Sequence, residues 1–113
     1  MAKISRLELE IDQFVLEHPH GWGHDDWLGF LHRLGETGQD VSNADGLGRA
    51  VERAHLKQTL QACGVAGLGP KRTKAVCDAF PSVYHLRAAG PEEIAGRAGI
   101  PQSLAESLAR ALQ

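Results

Sequence analysis

Apolar residues recur at helical spacing along most of the chain, and strand-like alternation is almost absent. The first helical segment places these residues on one face: Ile4, Leu7, Ile11, Phe14 and Val15. Leu9 and Leu16 lie on the opposite face, so they predict a second packing surface, for another element or for a second copy of the protein. Pro19 and Gly21 are expected to end this helix.

A second helix is predicted over residues 25–34, with four large residues facing inward: Trp27, Phe30, Leu31 and Leu34. Asp25 and Asp26 suit the positive end of its dipole. Gly35 is the expected C-terminal stop, and Ser42 or Asn43 can cap the third helix.

The third helix carries two apolar stripes that are rotated by roughly half a turn from each other. The first consists of Leu47, Val51 and Ala54, and the second of Leu56, Leu60 and Cys63. Either the helix breaks near His55, or it buries opposite faces at its two ends. We favour one continuous helix whose start packs on the N-terminal helices and whose end packs on the C-terminal half.

The C-terminal half repeats itself at an offset of 32 residues. The matched pairs include Gly67 and Gly99, Leu68 and Ile100, Val76 and Leu108, Ala79 and Ala111, and Phe80 and Leu112. Because the matches continue into the helix that follows each glycine, they indicate one supersecondary unit used twice rather than two similar helix caps. Each copy is predicted to be a helix, a tight glycine turn and a second helix.

Charge divides the chain into halves of opposite sign. Residues 1–55 carry five Lys and Arg against ten Asp and Glu, a net charge of −5, whereas residues 56–113 carry seven against four, a net charge of +3. We therefore expect an acidic helical subdomain over 1–55 and a basic domain over 56–113. No apolar run is long enough for a membrane span, and the N-terminus lacks a signal-peptide core, so a cytoplasmic protein is expected. The two cysteines predict small core residues rather than a disulfide framework.

The segment "GVAGLGPKRTKAV" has the residue types that an anion site at a helix N-terminus requires. The first amides of a helix have no intrahelical partner, and glycine at positions 67 and 69 lets a phosphate oxygen approach them. Pro70 suits the first helical position, and Leu68 is expected to plug the space between the two helices. The expected sources of charge-assisted hydrogen bonds are Lys71, Arg72 and Lys74.

Such a site, formed by Gly67, Leu68 and Gly69 with the three cations, holds a sugar-phosphate backbone and reads no base edge. It therefore predicts binding without sequence preference. The alternative is that the glycines form only a tight turn between helices and that the cations are a solvated face.

The second hairpin departs from this pattern. Gly99 and Ile100 are retained, but Pro101 replaces the second glycine, and Gln102 and Ser103 replace the basic pair. One amide donor and two charges are lost, so this hairpin is either a weaker clamp or a completion of the core.

Residues 56–113 resemble the tandem helix-hairpin-helix family. "VAGLGPKRTKAV" is similar to the first hairpin of such a pair and "RAGIPQSLAESL" to its partner, and the phrase that joins them, "FPSVYHLRAAGPEEIAGRAGI", is similar to the domain at the C-terminus of the excision-repair nuclease subunit UvrC. No family is identified for residues 1–55. The resemblance implies that the hairpins grip phosphates along the DNA minor groove, one hairpin per strand. It also implies a K⁺ or Na⁺ ion at the carbonyls of Cys63, Val65 and Leu68.

The segment "EHPHGWGHDD" contains residue types that bind Zn²⁺, namely His18, His20 and His24 with two following aspartates. Their spacing matches no zinc motif, so a polar loop between helices is the preferred interpretation. Trp22, in the same loop, is expected to cover the core, with docking of a protein partner as the alternative.

These observations predict an all-α protein in which an acidic helical subdomain is fused through a shared helix to a tandem helix-hairpin-helix domain. Phosphate-binding loops, nucleophile elbows and paired catalytic carboxylates are absent from the sequence, so no enzyme is expected. The expected function is DNA binding without sequence preference in repair or recombination, with selectivity for junctions, nicks or borders of single-stranded and duplex DNA, and with the nucleoid as its location in a bacterium. The competing hypothesis is a protein-interaction or dimerisation domain that uses the N-terminal half.

Overall fold

The computed structural model describes residues 6–112, and within that range it contains seven α-helices and no strand. The predicted all-α class is therefore confirmed. Ile4, predicted on the first apolar face, lies outside the described residues. None of the described helices combines the length and the apolar character needed to cross a membrane. The helices are α1 (Arg6–Glu17), α2 (His24–Glu36), α3 (Ala44–Ala62), α4 (Pro70–Ala79), α5 (Val83–Ala88), α6 (Pro91–Ala98) and α7 (Gln102–Ala111).

The chain divides into two compact units, residues 1–55 and residues 56–113. Helix α3 runs without a break through this boundary. Leu47 and Val51, from its first part, are buried in the core of the first unit, whereas Leu56 and Leu60 are buried in the core of the second. The two apolar stripes thus belong to one continuous helix, as predicted, and no break occurs at His55.

The core of the first unit is built around the ring of Phe14. Trp22 and Trp27 meet this ring edge-on with centroid distances of 5.1 and 6.5 Å, and Phe30 lies 4.5 Å from it. Both tryptophans are half-buried and pack on the core, which is their predicted role. The buried apolar residues of this unit are Ile11, Phe14, Val15, Phe30, Leu34, Leu47 and Val51.

Helix α2 ends later than predicted. Gly35, the expected stop, is helical, and Gly38 instead adopts the left-handed conformation with φ of 86°. The N–H of Gln39 then bonds the carbonyl of Leu34 at 3.0 Å, which satisfies a carbonyl of the last turn. The prediction failed because both glycines suit a C-terminus, and the hydrogen bonds of the turn decide between them.

Two side-chain hydrogen bonds position the start of α3 and the loop between α1 and α2. The Oδ1 atom of Asn43 accepts the N–H of Gly46 at 3.1 Å, so Asn43 is the cap of α3. Near the middle of the helix, the buried His55 forms a hydrogen bond of 3.0 Å between Nε2 and the carbonyl oxygen of Pro19, which holds the loop between α1 and α2.

The core of the second unit collects apolar residues from the end of α3 and from all the later helices. The guanidinium of Arg97, on α6, lies 4.7 Å from the ring centre of Phe80 and donates to the carbonyl oxygen of Ala79 at 2.9 Å. Arg97 therefore ties α6 to the C-terminal end of α4. The buried members of this core are Leu56, Leu60, Val76, Cys77, Phe80, Val83, Leu86, Ile94, Ile100, Leu104, Ala105, Leu108 and Leu112.

The internal repeat has a structural counterpart. Gly67 and Gly99 both adopt positive φ, at 89° and 68°, and Val76 and Leu108 are both fully buried. The two hairpins differ in length, however, because α3 ends at residue 62 whereas α6 continues to residue 98. The first connection therefore spans residues 63–69 and the second only residues 99–101.

Candidate nucleic-acid interface

The first connection closes as a tight turn in front of α4. The N–H of Leu68 donates to the carbonyl of Val65 at 3.4 Å, and Gly67 holds the positive φ that the third position of such a turn requires. The side chain of Leu68 packs against the core of the second unit. Leu68 thus anchors the turn on this core, and its expected place between the two helices stays a prediction.

The bend itself is open to solvent. Gly67 and Gly69 are exposed, and so are the first residues of α4, which begins with Pro70. The N–H of Thr73 bonds the carbonyl of Gly69 at 2.9 Å, but within the described residues the amides of Lys71 and Arg72 donate to no carbonyl or side chain. Two amides at the positive end of the α4 dipole therefore point outward without a partner.

Gly69 is the residue that leaves those amides uncovered. Its φ and ψ of −79° and −178° are accessible to any residue, and a Cβ added there would meet no atom within 4 Å. Packing and backbone strain thus give no reason for glycine. Ser, Asp or Asn would cap the helix better through a side-chain oxygen. The absence of a side chain is explained if something outside the chain occupies that space.

The three predicted cations are exposed but not equivalent. Arg72 donates from Nη1 to the carbonyl oxygen of Gly67 at 2.9 Å, and Lys74 forms an ion pair of 2.9 Å with Asp78. Lys71 has no hydrogen bond or ion pair within the described residues. Lys71 is therefore the cation most available to an external anion, a distinction that the sequence did not reveal.

The second connection uses its amides differently. The N–H groups of Gly99 and Ile100 both bond the carbonyl of Ala95, at 2.9 and 3.2 Å, and Pro101 has no N–H. Ile100 is buried in the core, which matches the role of Leu68 in the first hairpin.

Pro101 adopts φ and ψ of −60° and 146°, close to the backbone of Gly69. Gln102 and Ser103 are exposed but uncharged. At this position both hairpins have an extended backbone, but the second has a proline ring where the first has open space, and the two residues that follow are uncharged.

The carbonyl set implied for a monovalent cation lies in the first connection. The carbonyl of Val65 accepts the long hydrogen bond from Leu68 and keeps a second lone pair. The thiol of Cys63 donates to the carbonyl of Leu60 at 3.0 Å, and its side chain packs against the core. Oxygen atoms of this kind are suitable ligands for K⁺ or Na⁺, and the ion remains a proposal.

The histidine segment does not form a metal centre. Nδ1 of His18 lies 2.8 Å from the carbonyl oxygen of Phe14, and its Nε2 lies 3.8 Å from the carboxylate of Asp26. Across residues 6–112, no group of three His, Cys, Asp or Glu side chains is placed to hold a metal ion. The structure therefore does not bring His18, His20 and His24 together as ligands.

One exposed side chain of the second unit was not identified from the sequence. Tyr84, on α5, has 77% of its surface exposed, whereas its neighbours Val83 and Leu86 are buried. A buried–exposed pattern of this kind is visible in the sequence only once α5 is known to be a helix with one face in the core.

Comparison with known proteins supports the resemblance drawn from the hairpins. The chain is 31% identical over 83 residues to the UvrABC system protein C of Vibrio cholerae serotype O1 and 36% identical over 83 residues to that of Aliivibrio fischeri. A shorter segment of 48 residues is 50% identical to the UvrABC system protein C of Beutenbergia cavernae. No family model matches the chain, and no solved structure does.

The matches cover most of this chain but only a small part of the relatives. The 83 residues are 74% of this chain but only 14% of the length of the Vibrio and Aliivibrio proteins. They are also more than residues 56–113 contain, so the similarity reaches into the N-terminal half, for which the sequence analysis identified no family. The predicted resemblance is confirmed: across 74% of its length, this chain is similar to a segment of UvrABC system protein C.

Proposed function

We propose that residues 56–113 are a DNA-binding module of a repair or recombination system, and that the first hairpin binds a backbone phosphate. The observation that carries this proposal is the open bend before α4, where two unpartnered amides and Lys71 face solvent beside a glycine that packing does not require. Similarity to UvrABC system protein C supports a role connected with DNA repair.

Binding of this kind carries no sequence information. Amides and ammonium groups recognise phosphate oxygens, which are identical at every base pair. We therefore expect similar affinity for duplexes of different sequence and a strong dependence on salt. If about three phosphates are neutralised, the logarithm of the affinity should fall against the logarithm of the salt concentration with a slope of about −3.

Fluorescence anisotropy with labelled duplex and forked DNA at several salt concentrations tests the proposal. The variant that lacks all three hairpin cations (Lys71→Ala, Arg72→Ala and Lys74→Ala) should lose most of its affinity and most of the salt dependence. The matched control removes three exposed cations of α3 (Arg49→Ala, Arg53→Ala and Lys57→Ala), which changes the net charge equally. Equal losses in the two variants would show that net charge, rather than the hairpin, attracts the DNA.

We propose that residues 56–113 bind DNA and do not catalyse a reaction themselves. Labelled forked DNA incubated with the protein and Mg²⁺ or Mn²⁺ should therefore remain intact. Metal-dependent cleavage that copurifies with the protein and is lost in a single-residue variant would contradict this.

The second candidate function is protein interaction, and exposed leucines favour it. Leu9 and Leu16, on α1, are 54% and 63% exposed and are seven residues apart, so they lie on the same face of the helix. Light scattering of the parent chain and of the variant with Leu9→Gln and Leu16→Gln tests this function. A dimer that the variant converts to a monomer would support it, whereas a monomeric parent chain would count against self-association.

A further inference from the structure

The outward face of α5 combines an aromatic ring with a cation. Val83 and Leu86 are 5% and 1% exposed and fix this helix in the core, whereas Tyr84, His85 and Arg87 face solvent. A side chain that is 77% exposed contributes little to the core, so packing does not explain the large ring at position 84.

Among the residues that the structure describes, one aromatic ring contacts the ring of Tyr84. The ring of His85 meets it at a right angle with a centroid distance of 5.6 Å. His85 is itself held by Ser82, whose hydroxyl lies 2.7 Å from Nδ1 and accepts the N–H of His85 at 3.3 Å. A single perpendicular contact occupies at most one face of the tyrosine ring, so the other face is free to stack.

The charge around this ring is suited to a nucleic acid. Between Asp78 and Glu92 the only residue with a permanent charge is Arg87, which is cationic. Arg87 follows Tyr84 by three positions, so the two side chains are neighbours on one helical face, with Cβ atoms about 5–6 Å apart. Arg87 also lines a shallow groove of about 660 Å³ between α5 and α7, whose charged lining residues are Arg87, Arg110 and Glu106, so cations outnumber carboxylates there.

We propose that α5 binds single-stranded DNA, with an unpaired nucleobase stacked on Tyr84 and a flanking phosphate paired with Arg87. The inference rests on the proposed function and specifies it: the hairpin holds a phosphate of any DNA, and α5 adds affinity only where bases are unpaired. Bases within a duplex are already stacked on each other, so they do not offer a face to Tyr84. An aromatic and an arginine also suit a protein partner, but the net charge of +3 over residues 56–113 and the absence of carboxylates from residues 79–91 favour the nucleic acid.

The test compares blunt duplex with forked DNA whose single-stranded arm contains 2-aminopurine. Stacking on tyrosine should quench the 2-aminopurine fluorescence when the parent chain binds. Tyr84→Ala should abolish this quenching and weaken binding to the fork by about tenfold, while duplex affinity stays within about twofold. Tyr84→Phe, which keeps the ring, is the matched control and should behave as the parent chain does.

The outcomes separate this inference from the hairpin proposal. The inference is overturned if the Tyr84→Ala variant binds the fork as tightly as the parent chain does, which is the result expected if Tyr84 contacts a protein partner. It is also overturned if the variant loses affinity for fork and duplex equally. If Tyr84→Ala weakens only the fork, while the variant lacking the hairpin cations still binds duplex normally, the α5 inference stands and the hairpin proposal fails. A parent chain that binds neither DNA overturns both.

Discussion

Arg72 donates to the carbonyl oxygen of Gly67 across the mouth of the first hairpin, at 2.9 Å. The bond uses one of five guanidinium N–H groups and the residue remains exposed, so the same side chain can stabilise the turn and meet a phosphate. Lys74 differs, because Asp78 already offsets its charge.

The inequality of the cations predicts an order of effects on DNA affinity. Lys71→Met should weaken duplex binding several-fold and reduce the salt slope by about 1, because Lys71 has no competing partner within the described residues. Lys74→Met should have a smaller effect. Asp78→Asn should strengthen binding, since it removes a carboxylate next to the site. Anisotropy titrations of the three single variants measure the order, and a larger loss for Lys74→Met than for Lys71→Met would contradict it.

Gly69 offers a substitution that should stabilise the protein and prevent its function. Gly69→Asp places a carboxylate at the cap position of α4, where it can accept the amides of Lys71 and Arg72, and should raise the free energy of unfolding by a few tenths of a kcal/mol. The same carboxylate fills the proposed phosphate position with negative charge, so DNA binding should be lost. Thermal unfolding and anisotropy measure the two effects.

Gly67 provides the contrast to Gly69. Gly67→Ala forces a side chain into a φ of 89°, which should cost about 1 kcal/mol or more and lower the Tm by several degrees. Loss of binding in Gly67→Ala would thus be accompanied by loss of stability, whereas in Gly69→Asp it would not. A Gly69→Asp protein that is stable and binds DNA normally would exclude phosphate binding by the amides of Lys71 and Arg72.

The second hairpin should be convertible into a second clamp. Pro101 has an extended backbone like that of Gly69, so the triple change Pro101→Gly, Gln102→Lys and Ser103→Arg adds an amide, opens the space at that position and introduces two charges at the start of α7. Duplex affinity should rise several-fold, and the salt slope should steepen by about 2. The double variant that retains Pro101 gains only the charges, so its difference from the triple variant isolates the contribution of the amide. If both variants bind like the parent chain, the second hairpin does not face the DNA.

Arg97 is expected to act on stability and not on binding. Its guanidinium stacks on Phe80 and bonds the carbonyl of Ala79, so Arg97→Met should reduce the free energy of unfolding by about 1 kcal/mol. Arg97→Lys should recover part of this loss. Arg110→Met removes an equal charge from the same unit and serves as the control in thermal unfolding. A change in duplex affinity for Arg97→Met larger than that for Arg110→Met would place Arg97 in the interface.

The helices and the hairpin turn were predictable because their causes are local. Apolar spacing places Val76 and Leu108 in the core, and the positive φ of Gly67 and Gly99 follows from turn chemistry in the sequence. The two stripes of α3 likewise predicted a helix shared by two cores, because each stripe must be covered.

Other features depend on distances that the sequence does not encode in an obvious pattern. Whether Lys74 pairs with Asp78 or with an external phosphate depends on rotamers. The contact of Arg97 with Phe80 joins residues 17 positions apart through the packing of α6 on α4. The exposure of Tyr84 follows only from the orientation of a six-residue helix, which is too short for a periodic pattern.

The continuity of α3 determines how the chain can be dissected. A cut between His55 and Leu56 would leave helical stubs of 12 and 7 residues, neither of which is long enough to persist alone in water. A fragment intended to report on the hairpins should therefore begin no later than residue 44 and carry the whole helix. Deletion of either half at the apparent border would damage the half that was meant to be kept.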